Sequence, residues 1–388
     1  MVNRQNIIHH PILILLWNAN GLLHQINELS AFLLLNSIDL LLISEAHLTP
    51  NSSFKLPGYI TYHCDHSDGT AHADSAILIK SNIKHTILPS FQNNCIQATN
   101  IVLTLNHIPT TISSAYFRPS IKISTLELSR YFTYFGNNFL IGGDFNSKHP
   151  RWGFSSPNTR GRLLNNFLLN HNLKIISPIN PTYWLSHANR KPDVLEFFIT
   201  SLPGHINHSI SNLSDLSSDH TPLLLILNEL STTTTTHHTL TPGKTNWKKF
   251  SQTIDDLILL NISLKTPSDL ENAVKSFTTI LQNAARNSSQ MLSNILKVTK
   301  NLPLHITQLI SEKRRARCRW QRTHMPSDKK KYNTLTCLLK NVLRNYNSEK
   351  YLQHLKSLSS SDISLWKSTK NILKEKTKHL LYVTQTVP

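Results

Sequence analysis

Short apolar runs of strand length, divided by polar turns, recur along the first 230 residues, and they constrain the fold more than any other feature. Residues 12–17, 39–43, 76–79, 101–105, 111–117, 139–141, 194–199 and 223–227 each read as a strand. Helical spacing is rarer. Leu22, Ile26, Leu29 and Leu33 carry it between the first two runs, and segments 124–134 and 160–170 carry it later. Many strands with few helices predict an α/β domain of two packed sheets flanked by helices, not one parallel sheet.

The composition then breaks. Residues 231–238 read STTTTTHH and Pro242-Gly243 follows, which is the composition of a linker. Its two histidines offer too few ligands for a metal site. The expected organisation is a domain over 1–230, a Thr/His-rich linker over 231–246 and a helical basic region over 247–388. In that last region Tyr332, Leu335, Leu339, Val342 and Tyr346 step by three and four, the mark of one apolar helix face. A helical hairpin packing on itself is the expectation.

Charge is distributed unevenly. The chain carries a net +18 and a pI near 9.8. From Asn301 onward there are 18 Lys/Arg against 5 Asp/Glu, so most of the excess sits near the C-terminal end. That balance points to a polyanionic partner. Cys64, Cys95, Cys318 and Cys337 lack the paired spacing of a zinc ribbon. No stretch reaches the roughly 20 apolar residues that span a bilayer, and residues 12–17 have no small-residue cleavage site after them, so neither membrane nor signal peptide is expected.

Chemistry-bearing residues gather at the ends of the strand candidates. Asn18 and Asn20 follow the first, Glu45 the second, and Asp144 and Asn146 the run ending at Ile141, within Gly142-Gly143-Asp144-Phe145-Asn146. Asp219-His220 precedes the last. Strand-end loops held by a rigid sheet are where catalytic groups tend to sit. Carboxylates and amides converging there would make an oxygen-rich site suited to Mg²⁺ or Mn²⁺, and a histidine beside them could assist phosphoryl chemistry. Each element alone is weak: an Asp before a strand is usually a turn residue, and Gly-Gly is usually just a turn.

The ordered set is more specific. Trp17-Asn18-Ala19-Asn20-Gly21, Ser44-Glu45, Tyr116, Gly143-Asp144-Phe145-Asn146 and Ser218-Asp219-His220 resemble the motifs of the endonuclease/exonuclease/phosphatase superfamily over about residues 12–228. His149-Pro150-Arg151-Trp152-Gly153, Thr159-Arg160-Gly161-Arg162 and Pro192-Asp193-Val194-Leu195-Glu196-Phe197-Phe198 resemble the endonuclease of jockey-type non-LTR retrotransposons. The segment from Glu312 through Trp320 resembles the stretch those elements place between endonuclease and reverse transcriptase.

The resemblance implies an α/β four-layer sandwich of two mixed sheets flanked by helices, followed by the helical basic region. It implies a Mg²⁺-dependent endonuclease, with Mn²⁺ as a substitute, that nicks duplex DNA to prime reverse transcription of element RNA. Glu45, helped by Asn18, would hold the metal, with Asp219 supporting it. Asp144 would orient or deprotonate the attacking water and Asn146 would position it. Tyr116 would donate to the phosphate, and His220, oriented by Glu196, would stabilise the phosphorane. Arg160, Arg314, Arg315, Arg317 and Arg319 would contact nucleic acid, with Trp320 stacking on a base. No small-molecule cofactor is implied, and the site of action would be intracellular, nuclear when on DNA.

Two positions depart from the family pattern. Glu196 stands where the pattern has Asp, and its extra methylene is expected to displace the carboxylate that orients His220. Ala73-Asp74-Ser75 stands where relatives have a Gly-Gly pair, so crowding of that turn is expected. Both leave room for an alternative, a catalytically impaired nucleic-acid-binding remnant. A small phosphorylated substrate on the same fold fits the basic C-terminal region less well. The relatives' polymerase motif has no match. Asp255-Asp256 lies in a helical pattern, reads as a solvated helix face, and gives no expectation of polymerase activity. Removing the basic region is expected to weaken DNA binding while leaving the N-terminal site intact.

Overall fold

The computed structural model describes residues 11–49, 52, 54–64, 74–153, 156–185, 191–204, 206–228, 240, 245–258, 262, 264–289, 302–359 and 364–373. Among these, two six-stranded sheets form the body. The first sheet begins with β1 (Ile12–Asn18), β2 (Leu40–Ser44), β3 (Tyr59–Cys64) and β4 (Ser75–Lys80). The chain then builds the second from β5 (His85–Gln92), β6 (Ile96–Leu105), β7 (Ile108–Phe117), β8 (Phe139–Asp144), β9 (Lys174–Ile176) and β10 (Glu196–Thr200). It returns to the first with β11 (His208–Asn212) and β12 (Leu223–Leu227). The strand orders are β11-β12-β1-β2-β4-β3 and β5-β6-β7-β8-β10-β9.

Each sheet is mixed because each contains one parallel pair at its centre. β1 pairs in parallel with β2, and β7 with β8; the remaining pairs are antiparallel. Parallel neighbours need a crossover. α1 (Ile26–Leu35) supplies the first and α2 (Thr125–Thr133) the second. α2 starts where the sequence dictates: Ser124 caps the amide of Glu127, and Glu127 returns the bond to the amide of Ser124. α3 (Thr159–Asn170) packs with α2 on the outer face of the second sheet. The layers are therefore helix, sheet, sheet, helices, the four-layer α/β sandwich that the resemblance implies.

The core between the sheets is aliphatic. Ile14, Leu16, Leu42 and Ile77 meet Ile101, Ile112, Leu140 and Phe198 there. Gly142 and Gly143 belong to this packing and not to a turn, because β8 runs on through Asp144. A Cβ on Gly142 would stand 2.7 Å from the Phe198 ring and 2.8 Å from Leu42, and one on Gly143 would stand 2.2 Å from the Ala115 carbonyl. Strands β3, β5, β9 and β11 escaped the sequence reading because they are short or half exposed and lack a long apolar run.

Beyond the last strand the described chain is helical, apart from a bridge between Thr245 and Ser289. α4 (Trp247–Leu257) packs on α5 (Pro267–Ser288), and Asp255 and Asp256 are exposed on α4. Most of the expected linker lies outside the described residues. α6 (Leu304–Thr323) and α7 (Pro326–Lys356) form a hairpin, followed by α8 (Ser364–Leu373). The hairpin does not pack only on itself. Ile306, Ile310, Leu339 and Leu343 bury Ala31 of α1, and Asn347 donates to Asn27 at 2.9 Å. No described helix is long and apolar enough to cross a membrane.

Candidate active site

The carboxyl ends of the two central parallel pairs meet across the sandwich, and that meeting creates the site. Asn18 at the end of β1 pairs with Ser44 at the end of β2. Ser44 joins the sheets: its hydroxyl donates to the Ala115 carbonyl at 3.0 Å and accepts from the Asp144 amide at 3.2 Å. Tyr116 on β7 lies in register with Asp144 on β8, and Asp144 in register with Glu196 on β10. Ligand crevices outside the carboxyl ends of parallel strands are a general consequence of such topology.

Three residues just past the strand ends turn the chain sharply. Asn20, Glu45 and Asn146 have φ of 44°, 49° and 48°. Such left-handed conformations are uncommon outside glycine, least so for Asn, and they gather at functional sites when surrounding contacts enforce them. Asp74 helps to enforce the one at Glu45. Its carbonyl accepts the Glu45 amide at 3.0 Å, and its carboxylate accepts the amides of His47 at 2.7 Å and Leu48 at 2.6 Å. Asp74 is itself buried at φ 78°. The expected crowding therefore gives way to a bracing role; Ala73 lies outside the described residues.

Asp144 is buried and held through both carboxylate oxygens. Asn18 donates to Oδ2 at 2.9 Å and the Asn146 amide to Oδ1 at 2.9 Å. Burial, then the Glu196 charge, push its pKa up to about 7, while His220 pulls the other way. Glu196 Oε1 bonds Nδ1 of His220. Burial opposes a charged His220, but Glu196, Asp144 and Asp219 outweigh it and push its pKa up to about 10. The ring is thus held as a cation. The longer Glu196 side chain reaches the ring, so the expected displacement is not what the structure has. Tyr116 hydrogen-bonds Glu45; burial and the charges of Glu45 and Asp144 keep its phenol protonated and a donor.

One ligand atom each from Asp144, Glu196 and His220 lies within 4.8 Å of the others, and Glu196 Oε2 is buried without a hydrogen-bond partner. Buried carboxylates crowded together, with an orphaned oxygen among them, fit a hard divalent cation nearby. His220 Nδ1 is occupied by Glu196, so the oxygen donors are the better ligands. Glu45, half buried, and Oδ1 of Asn18, which accepts only the Asn20 amide at 3.1 Å among described contacts, border the same space. Asp219 stands at the open rim, its Oδ1 4.0 Å from His220 Nε2 and 3.4 Å from Nδ2 of the Asn20 side chain, which donates to it. Asn146 donates to the Phe117 carbonyl at 2.9 Å.

The expected nucleic-acid contacts are placed differently. Arg160 is turned inward and donates to backbone carbonyls of Arg118, Pro119 and Ile121, bracing the turn after β7. Arg317 is completely buried, and Trp320 is 6% exposed, its ring stacked on Tyr332 at 5.7 Å. Neither can reach a base or phosphate in this arrangement. Arg314 pairs with Asp215, and Arg319 with Asp328 at 3.0 Å. Arg315 alone of the set is exposed without an ion pair among the described contacts.

Several supporting residues were not singled out from sequence. Ser218 accepts from the Trp17 indole at 3.1 Å and from the His220 amide at 3.0 Å, tying the Asp219-His220 turn to β1. Tyr183 lies over the His220 ring with centroids 4.6 Å apart, and Thr182 Oγ1 accepts the Leu195 amide at 2.9 Å. A serine two residues before a histidine is a recognisable turn signal; Tyr183 and Thr182 have none, because their role depends on a bridge formed only in the fold.

Residues 110–224 match a family model described as endonuclease-reverse transcriptase. The chain is 29% identical over 378 residues to the RNA-directed DNA polymerase from mobile element jockey of Drosophila funebris, covering 96% of this chain and 40% of that protein. It is 30% identical over 373 residues to the probable RNA-directed DNA polymerase from transposon X-element of Drosophila melanogaster, covering 95% and 41%. The chain thus spans about two fifths of the length of these curated relatives. Among solved structures it is similar to the endonuclease domain of TRAS1, a telomere-specific non-LTR retrotransposon, at 21% identity and a TM-score of 0.47, covering 56% of this chain and 98% of that one. Residues 110–224 thus match the endonuclease-reverse transcriptase family model, in a chain that is similar over nearly its whole length to the polymerases of the mobile elements jockey and X-element.

Proposed function

We propose that the domain of the first 230 residues is a divalent-metal-dependent endonuclease that nicks one strand of duplex DNA. The observation that carries this reading is the convergence of Glu45, Tyr116, Asp144, Glu196 and His220 at the meeting carboxyl ends of the two parallel pairs. Glu45 and Asn18 would hold the cation, with Asp219 at the rim. A bound Mg²⁺ or Mn²⁺ would supply charge neutralisation at the scissile phosphate.

The protein's own groups divide the remaining work. Asp144, fixed by Asn18 and the Asn146 amide, accepts the proton of the attacking water. Asn146 keeps its side-chain oxygen available to orient that water, since its amide nitrogen is bonded to Phe117. His220, kept cationic by Glu196, stabilises negative charge on the pentacovalent phosphorus. Tyr116 stays a donor and can turn from Glu45 to a phosphate oxygen. The contact between Glu196 and His220 supports an active site over an impaired remnant. In a mobile element such a nick would prime reverse transcription of element RNA, with duplex DNA and that RNA as partners and the nucleus as the place of action. The deciding experiment is a metal titration of supercoiled-plasmid nicking. Open-circular product should appear with Mg²⁺ or Mn²⁺ and vanish with a chelator; equal nicking in chelator contradicts the reading.

A further inference from the structure

The buried face of α6 is a heptad-like stripe whose later members are cations. Ile306, Ile310, Lys313, Arg317 and Trp320 succeed one another at intervals of four and three, and all are buried. The two isoleucines meet α1. The two cations meet the loop between β11 and β12, which carries Asp219 and His220. A buried cation is strongly disfavoured unless its hydrogen bonds are made, so their partners reveal what this face is built to hold.

Arg317 spans the loop. Its guanidinium donates to the carbonyl of Leu216, to that of Ser218 at 3.2 Å and to that of His220 at 3.0 Å, and reaches Thr221 Oγ1 at 3.4 Å. Lys313 donates to the Asp215 carbonyl, to Ser217 Oγ at 3.0 Å and to Glu28 of α1, fixing the loop to the sandwich. Arg314 holds the Asp215 side chain at 2.6 Å from Nε, and Gln321 donates to Thr221 Oγ1 at 3.2 Å. A second path runs through aromatic rings: Trp320 packs on Trp184, the neighbour of the Tyr183 whose ring lies over His220.

We propose that α6 is a built-in brace of the active site, with Arg317 as a positioning residue that acts through the His220 backbone. The consequence for catalysis rests on the nuclease reading; the brace itself rests on the contacts above. It reverses the expectation that the basic region can be removed without harm to the N-terminal site. The guanidinium fork grips several carbonyls of one turn, which a flexible ammonium could not do. The ring of His220 is aimed by its Glu196 bond on one side and by its backbone on the other. Releasing the backbone lets the ring move by an amount that matters, because a shift of about 1 Å can cost about a hundredfold in rate.

The test uses the full chain, with Arg317→Met and a milder Arg314→Ala/Gln321→Ala double variant, in two measurements. In steady-state nicking, Arg317→Met should lower kcat by about a hundredfold, and the double variant by about tenfold. KM for plasmid and the salt dependence of binding should be unchanged. In amide hydrogen exchange, peptides covering residues 213–222 should exchange at least about tenfold faster, while β8 keeps its protection. An unchanged kcat with raised KM and a shallower salt dependence would make these cations DNA contacts and overturn the brace, as would unchanged exchange at 213–222. If Arg317→Met loses protection in β8 as well, it has unfolded, and the double variant decides by the same criteria. If the wild-type chain does not nick, the nuclease reading fails, and the exchange measurement alone still decides whether the brace exists.

Discussion

Glu196 shows how a single methylene is read differently before and after the fold is known. By comparison with the family pattern, Glu in place of Asp lengthens an orienting side chain, and Glu196→Asp should then raise activity. In the structure Oε1 already bonds His220, so shortening the side chain withdraws the carboxylate from the ring. The expected outcome is therefore a fall in kcat, toward about a hundredfold, read in single-turnover nicking; a rise would restore the pattern-based view. The titrating groups give a second test. The folded-state pKa of Asp144 lies above its usual 3.8, so its favourable contribution is present below that value and is lost as pH rises through about 7. His220 is raised from 6.5 to about 10, so its contribution is complete below pH 6.5 and is lost as pH rises through about 10. At pH 8 the ionised Asp144 is thus an uncompensated cost that a divalent cation would relieve; at pH 5 the proton already relieves it. Mg²⁺ at about 100 times its Kd should raise Tm by about 5 °C or more at pH 8 and by much less at pH 5. Equal gains at both pH values would place the cation away from Asp144.

Elements were legible where a local rule determines them. The α2 capping box and the apolar runs of β1, β2 and β12 are written in consecutive residues, and the structure has them within a residue or two of the expected bounds. Gly142-Gly143 was misjudged because glycine marks turns far more often than close approaches. Here two backbones and two sheets come too close for a Cβ. Gly143→Ala is expected to destabilise the chain by about 3 kcal/mol, lowering Tm by roughly 6–12 °C, since its Cβ would meet the Ala115 carbonyl at 2.2 Å. Gly204→Ala meets only the mobile end of Lys174 at 3.1 Å and should stay within about 0.5 kcal/mol. Similar losses for both would contradict the close packing of β7 against β8 at Gly143. The α6 cations were misjudged for another reason. Charge density around Trp320 suggested nucleic-acid contact, yet the phase set by Ile306 and Ile310 carries Lys313, Arg317 and Trp320 inward and leaves Arg315 outward. The stripe was present in the sequence; its partners, carbonyls of a distant loop, were not.

At the scale of the whole molecule, the chain makes its candidate site from segments about 200 residues apart and then covers the loop of Asp219 and His220 with a helix about 100 residues further on. The order of the strand-end motifs was legible because each sits on a short peptide with its own pattern. Their convergence was not, since it depends on the two parallel pairs facing each other with their carboxyl ends together. The outward face of the hairpin carries exposed cations, among them Arg315, Arg322, Lys330 and Lys331, on which the proposed nucleic-acid binding would draw. Binding and chemistry are thereby assigned to different groups, and one carboxylate separates them. The most direct measurement compares the full wild-type chain with Asp144→Asn in single-turnover nicking of supercoiled plasmid with Mg²⁺, alongside the Kd for the same DNA. Nicking should fall by at least about a thousandfold while Kd stays within about threefold. Retained nicking by Asp144→Asn, or a loss of binding as large as the loss of cleavage, would contradict that assignment.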